Sequence, residues 1–91
     1  MSAWEFEWDE ENEEKVLAHG VQPEEFVEQC FFNRHLRKRK PRSADRWYLF
    51  GRTDGGRALF VVYQNRGGDL VRPITVYDLP RAFRTKYGKS I

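Results

Sequence analysis

Arginine, histidine and tyrosine are the residues of this sequence with the most chemistry to offer, and they recur at turns and segment ends. Arg52 and Arg57 flank the glycine turn Asp54-Gly55-Gly56, and Arg66 sits in a second glycine turn. Arg72 and Tyr77 lie in the segment that follows, Arg81 and Arg84 come three residues apart near the end, and His19 directly precedes Gly20. Guanidinium groups offer phosphates paired hydrogen bonds, and histidine or tyrosine can move protons. RNA brings its own nucleophile, the 2′-hydroxyl. A protein that cuts it without a metal must hold the backbone in line, stabilise charge on the equatorial phosphate oxygens and move two protons. Arg52, Arg72, Tyr77 and His19 are the candidates for that chemistry, with Arg57, Arg66, Arg81 and Arg84 as candidate RNA contacts. The same residues would also suit a small basic domain that only binds a polyanion.

Other chemistries lack their residues. The sequence contains no P-loop, no nucleophile elbow and no cluster of metal ligands. Neither a cofactor nor a metal is expected. Cys30 is the single cysteine, which excludes an internal disulfide and a Cys/His zinc site. It falls on an apolar stripe and reads as core. A lone cysteine fits a reducing cytoplasm. No basic segment followed by an apolar run marks a signal peptide, and the longest apolar run, Leu59 to Tyr63, is far short of the ~20 residues of a membrane span.

The elements that must position these side chains can be read from pattern. The 91 residues make one domain, 1–91, with room for one core. Phe6-Glu7-Trp8 alternates as a short strand does. Asp9 is an N-cap, Glu10 and Glu11 suit the positive end of a helix dipole, and Gly20 suits its end. Pro23 begins a second helix to about Phe32, whose residues Phe26, Val27, Cys30 and Phe31 form one stripe. Residues 34 to 46 carry seven bases and one acid and read as a solvated loop. Three strands follow, Trp47 to Thr53, Arg57 to Gln64 and Leu70 to Tyr77, joined as hairpins by turns rich in glycine. Pro73 marks the last as an edge or a bulged strand. Asp78 and Pro80 open a final helix with Phe83 and Tyr87 on its buried side. The fold class is α+β: a small antiparallel sheet, order β-α-α-β-β-β-α, covered by helices.

Charge divides the chain. Residues 1–30 sum to −9 and residues 31–91 to +11, although the net charge is only +2. Such separation suits a partner rich in phosphates, repelled by the acidic end. The hairpin arginines are therefore expected to converge on one concave surface, with the glutamates facing elsewhere. Each candidate has an ordinary structural role as well. His19 can cap its helix beside Trp8, Arg52 and Arg57 can be solvated strand ends, and Tyr77 can simply pack. Arg72 shares the parity of Ile74 and Val76, so its guanidinium is expected to border the core face.

The order of pieces resembles the BrnT-like toxins of bacterial type II toxin–antitoxin pairs. Phe6-Glu7-Trp8-Asp9, Asn12, His19-Gly20-Val21, Pro23-Glu24-Glu25 and Phe31-Phe32 are similar to the start of that family. Tyr48 to Thr53, Gly56 to Tyr63 and Arg72-Pro73-Ile74-Thr75 are similar to its hairpin strands. The resemblance implies a RelE-related fold, metal-free endoribonuclease activity, and neutralisation, with possible oligomer formation, by a small ribbon-helix-helix DNA-binding antitoxin. One position departs from it: where the family has a Ser/Thr-Ala-Arg run, this chain has Thr75-Val76-Tyr77, and Tyr77 replaces the arginine. That leaves an alternative, a non-catalytic RNA- or protein-binding module of the same fold.

Overall fold

Asp9 begins the first helix in the way its position requires. In a computed structural model that describes residues 4–91, the Asp9 carboxylate accepts the Asn12 backbone N–H at 3.0 Å, and the Asn12 side chain accepts the Asp9 N–H at 2.7 Å. This reciprocal cap opens α1, Glu10–Ala18, with Glu10, Glu11 and Glu13 in its first turn. Gly20 leaves the helix at φ +72°, a left-handed conformation that costs glycine little. Pro23 then opens a π-helical turn, Pro23–Val27, which runs straight into α2, Glu28–Phe32. Val27, Cys30 and Phe31 are buried as the stripe required, whereas Phe32 at the end is exposed.

Five strands form one sheet: β1 (Glu5–Phe6), β2 (His35–Arg39), β3 (Arg46–Arg52), β4 (Ala58–Gly67) and β5 (Leu70–Asp78), in the order β1-β5-β4-β3-β2. The sheet is mixed rather than antiparallel, because β1 runs parallel to β5 with Glu5 opposite Leu70. Short glycine turns fix the direction of β3, β4 and β5. Nothing local fixes β1, whose partner lies at the far end of the chain. The basic segment also departs from expectation, since it supplies β2 rather than a loop and makes the order β-α-α-β-β-β-β-α. Pairing with β3 satisfies its backbone whatever its side chains are, and those side chains find aromatic neighbours. The Arg37 guanidinium lies 5.1 Å from the Trp4 ring centre. A cationic edge strand also discourages further pairing. The chain closes with α3, Arg81–Tyr87, and a 3₁₀ turn, Gly88–Ser90.

One face of the sheet carries the main core. Leu49, Leu59, Val61, Tyr63, Val71 and Val76 pack there against Val16, Val21, Val27, Cys30 and Phe31 from the helical layer. Burial pushes the Cys30 thiol up to about 12, as expected of a cysteine packed as a hydrophobe. Gly51 lets α2 approach: a Cβ there would stand 3.1 Å from both the Cys30 carbonyl oxygen and Leu49 Cδ2. Gly51→Ala is therefore expected to cost about 1–3 kcal/mol, read as a fall in Tm. An unchanged Tm would mean that α2 is free to move away.

The opposite face buries Phe50, Ala58 and Leu79, with Leu36, Tyr48, Phe60, Tyr87 and Ile91 packed around them. No residue of α3 is fully buried, and Phe83, expected on the buried side, is 42% exposed. A bulge at Pro73 changes which face Arg72 occupies. Tyr63 pairs with Pro73 and Val62 with Thr75, leaving Ile74 as the extra residue. Alternation resets there, so Arg72 lies on the side of Thr75 and Tyr77, while Val76 is on the core side.

Candidate functional site

The end of β5, the end of α1 and the start of α3 meet at one corner. Tyr77 pairs across the sheet with Phe60, their ring centres 6.1 Å apart. The His19 ring meets Tyr77 edge-on at 4.7 Å. His19 does end α1, but its neighbour is Tyr77 and not Trp8, whose indole N–H donates to Glu28 at 2.9 Å. Arg57 braces the corner. Its Nε and Nη2 fork onto the two Asp78 oxygens at 2.8 and 3.1 Å, and Nη1 donates to the Gly20 carbonyl at 2.9 Å. The paired guanidinium holds the Asp78 carboxyl below its usual range, helped by Arg84 and His19. Beside them opens a cavity of about 430 Å³ lined by Phe60, Tyr77, Asp78, Pro80 and Phe83. Tyr77 and Phe83 are each more than two-fifths exposed, so both rings can meet a ligand.

The hairpin arginines do not converge on one surface. Arg72 Nη1 donates to Asp9 at 2.6 Å and lies 4.0 Å from Glu7, and Arg66 lies 3.5 Å from Glu7. The Asn12 backbone N–H, and then Arg72, hold the Asp9 carboxyl below its ordinary value. Acids expected to face elsewhere are therefore the partners of one candidate catalytic residue, Arg72, and one candidate RNA contact, Arg66. Arg52 pairs with Ala58, whereas Arg72 pairs with Gln64 six residues along β4, a separation of about 20 Å. Arg52 donates to the Gly56 carbonyl at 3.1 Å, and it has no carboxylate partner among the described residues. Arg81 and Arg84 are exposed on α3 near the corner.

Pattern reasoning missed a second cationic group. The Lys38 ammonium donates to the Tyr87 phenol at 2.8 Å and lies 4.7 Å from its ring centre, with the Lys86 ammonium 5.3 Å from the same ring. The Lys38 hydrogen bond holds that phenol below its ordinary value. Alternation within residues 34–46 was the available signal, since it places Lys38 on the face of Leu36 and Tyr48. Among the described residues, no three His, Cys, Asp or Glu side chains are grouped to hold a metal ion.

The acidic side of the molecule carries its own strain. Partial desolvation, and then the nearby Glu24, push the Glu13 carboxyl above its ordinary value. The folded state thus binds a proton there more readily than the unfolded chain, and native stability suffers as pH rises through that raised value. Glu13→Gln is expected to raise Tm at neutral pH, with the gain shrinking as the pH falls. A gain independent of pH would point to a cause other than charge.

No helix among the described residues is long and apolar enough to cross a membrane. No curated protein matches the chain. The family described as the ribonuclease toxin, BrnT, of type II toxin-antitoxin systems matches residues 8–82, a span that holds His19, Arg57, Tyr77 and Asp78. By that match over most of its length, the chain belongs to the BrnT family of ribonuclease toxins.

Proposed function

We propose that the corner formed by His19 and Tyr77 cleaves RNA by attack of the 2′-hydroxyl on the adjacent phosphate, with no metal ion in the reaction. The observation that carries this reading is a pair of proton-bearing rings in contact at 4.7 Å, beside an aromatic cavity with room for a base. A base turned out of its stack enters between Tyr77 and Phe83, as aromatic side chains commonly hold RNA bases. His19 accepts the proton of the 2′-hydroxyl, the O2′–P bond forms, and the P–O5′ bond breaks. Tyr77 delivers a proton to the leaving oxygen, and Arg84 and Arg81 take up the charge on the phosphate. Arg57 serves as a brace, keeping Asp78 and the Gly20 turn in place. Arg66 ties Glu7 to β4, Arg72 ties Glu7 and the Asp9 cap of α1 to β5, and Arg52 serves the other end of α3.

Induced expression is expected to arrest growth and to leave RNA ends bearing a 2′,3′-cyclic phosphate, at a rate a chelator does not change. Intact RNA, or cleavage that stops on chelation, would defeat the reading. Tyr77, standing where related toxins carry arginine, favours a second reading, in which the chain binds RNA or a protein without cutting. Salt-sensitive binding with a blank nuclease assay would establish it.

The wider assignments follow the same reading. Residues 1–91 form one domain with a RelE-type fold, working in the cytoplasm. Its antitoxin is a small ribbon-helix-helix protein encoded next to it, which joins it in a complex. A neighbouring reading frame of another kind would count against that partner.

A further inference from the structure

The cleavage step leaves one group of charged side chains on this face unused. Lys38 from the edge strand β2 and Lys86 from α3 share the ring of Tyr87, and neither has a carboxylate partner among the described residues. Of the acids of the basic half, Asp45 accepts from Gln64, Asp54 from Asn33 and Asp78 from Arg57. Arg52 comes to the same place, its Nη2 standing 3.9 Å from where a Cβ on Gly88 would be. Two ammonium groups thus share one phenol ring, with the Arg52 guanidinium beside the next residue of the chain and no carboxylate paired to any of the three among the described residues. Such an arrangement favours a bound anion, and lysine grips phosphate as a point charge.

The group is continuous with the cavity. Tyr87 stacks on Phe50 at 5.0 Å, and Phe50, Phe60 and Tyr77 follow one another across the paired strands. Tyr87 also lies one helical turn from Phe83, with ring centres 6.1 Å apart and nearly parallel. An aromatic path therefore links the cavity to the lysines. Lys86 and Tyr87 lie beyond the residues that the family model matches.

We propose that Lys38, Lys86 and Tyr87 hold the phosphate of a nucleotide neighbouring the one whose base enters the cavity, so that the substrate is single-stranded RNA over at least two nucleotides. The proposal rests on the reading of His19 and Tyr77 as the cleavage site. A paired duplex keeps its bases stacked and cannot fill the cavity and reach the lysines together.

The test uses the whole protein and a short single-stranded oligoribonucleotide with 2′-O-methyl riboses, which can be bound but not cut. Lys38→Gln with Lys86→Gln is expected to weaken binding several-fold, and to make the slope of log K against log salt less negative by about 0.7 for each phosphate no longer neutralised. Tyr87→Phe is expected to weaken binding to a smaller extent, and the corresponding blunt duplex to bind the wild type more weakly than the single strand. Lys86→Gln alone, on the exposed side of α3, guards against misfolding and should show part of the loss. Unchanged affinity and slope in the double variant, while the wild type still cleaves RNA, would overturn the subsite and leave the cleavage reading intact. Wild-type protein that neither binds nor cuts RNA would overturn both. Loss of antitoxin binding with RNA affinity retained would assign these lysines to the antitoxin and overturn the proposal.

Discussion

His19→Ala is expected to lower the rate of RNA cleavage by about 10²–10⁴-fold, the usual contribution of a positioned proton-transfer group, with little change in Tm. The imidazole lies exposed at the end of α1, where the backbone N–H groups of His19 and Gly20 make the helix-ending bonds and the ring makes no hydrogen bond among the described residues. Removing the ring therefore takes away chemistry and leaves the fold. Tyr77→Phe keeps the packing on Phe60 and removes only the hydroxyl, so a large rate loss there would separate proton transfer from stacking. Paired with His19→Ala, it should cost far less than the product of the two single losses, because residues that act on one reaction do not add. The measurement is single-turnover cleavage of a short RNA, read alongside its pH–rate profile. Full activity in His19→Ala would remove this corner from the mechanism.

Asn12→Ala is expected to destabilise the protein by about 3–5 kcal/mol, the largest stability loss for any single polar residue here. Asn12 is 1% exposed and makes more bonds than its length suggests. Its amide donates to the Glu7 carbonyl at 2.9 Å and to the Pro73 carbonyl at 2.8 Å, while its oxygen accepts the Asp9 N–H. One side chain thereby joins β1, the start of α1 and the bulge of β5. Truncation removes the partner of two carbonyls and one N–H, and the Pro73 carbonyl among them is left in a buried place. Asn12→Asp should fare no better, since it loses both donors and places a charge beside Asp9. Chemical denaturation is the check, with the midpoint falling at an unchanged slope. A loss under about 1 kcal/mol would show that water replaces the amide.

The Glu7–Asp9–Asn12 region also explains why Arg72 was hard to assign. Its candidacy as a catalytic residue drew on an apparent place on the core face, deduced from regular alternation through Ile74 and Val76. The bulge at Pro73 breaks that alternation, and the carboxylates of Glu7 and Asp9 complete the pair. A proline signals that a strand is irregular but not how many residues the irregularity absorbs. Lys38 was obscured for the opposite reason: a run of bases looks uniform until pairing assigns alternate residues to opposite faces.

Local chemistry in the sequence settled much of this protein. The Asp9 cap, the Gly20 exit, the proline start of the second helix, the two glycine-turned hairpins and the buried Cys30 stripe all depend on residues within a few positions of each other. Short-range sterics and hydrogen bonding suffice to specify them. Tertiary structure alone decided the rest: the parallel seat of β1, the pairing of β2, the meeting of His19 with Tyr77, and the partners of Arg57 and Arg72. Apart from β2, which forms a hairpin with β3, each of these joins residues far apart in the chain. Such contacts are selected by the burial and charge balance of the whole fold, which no local window of sequence contains.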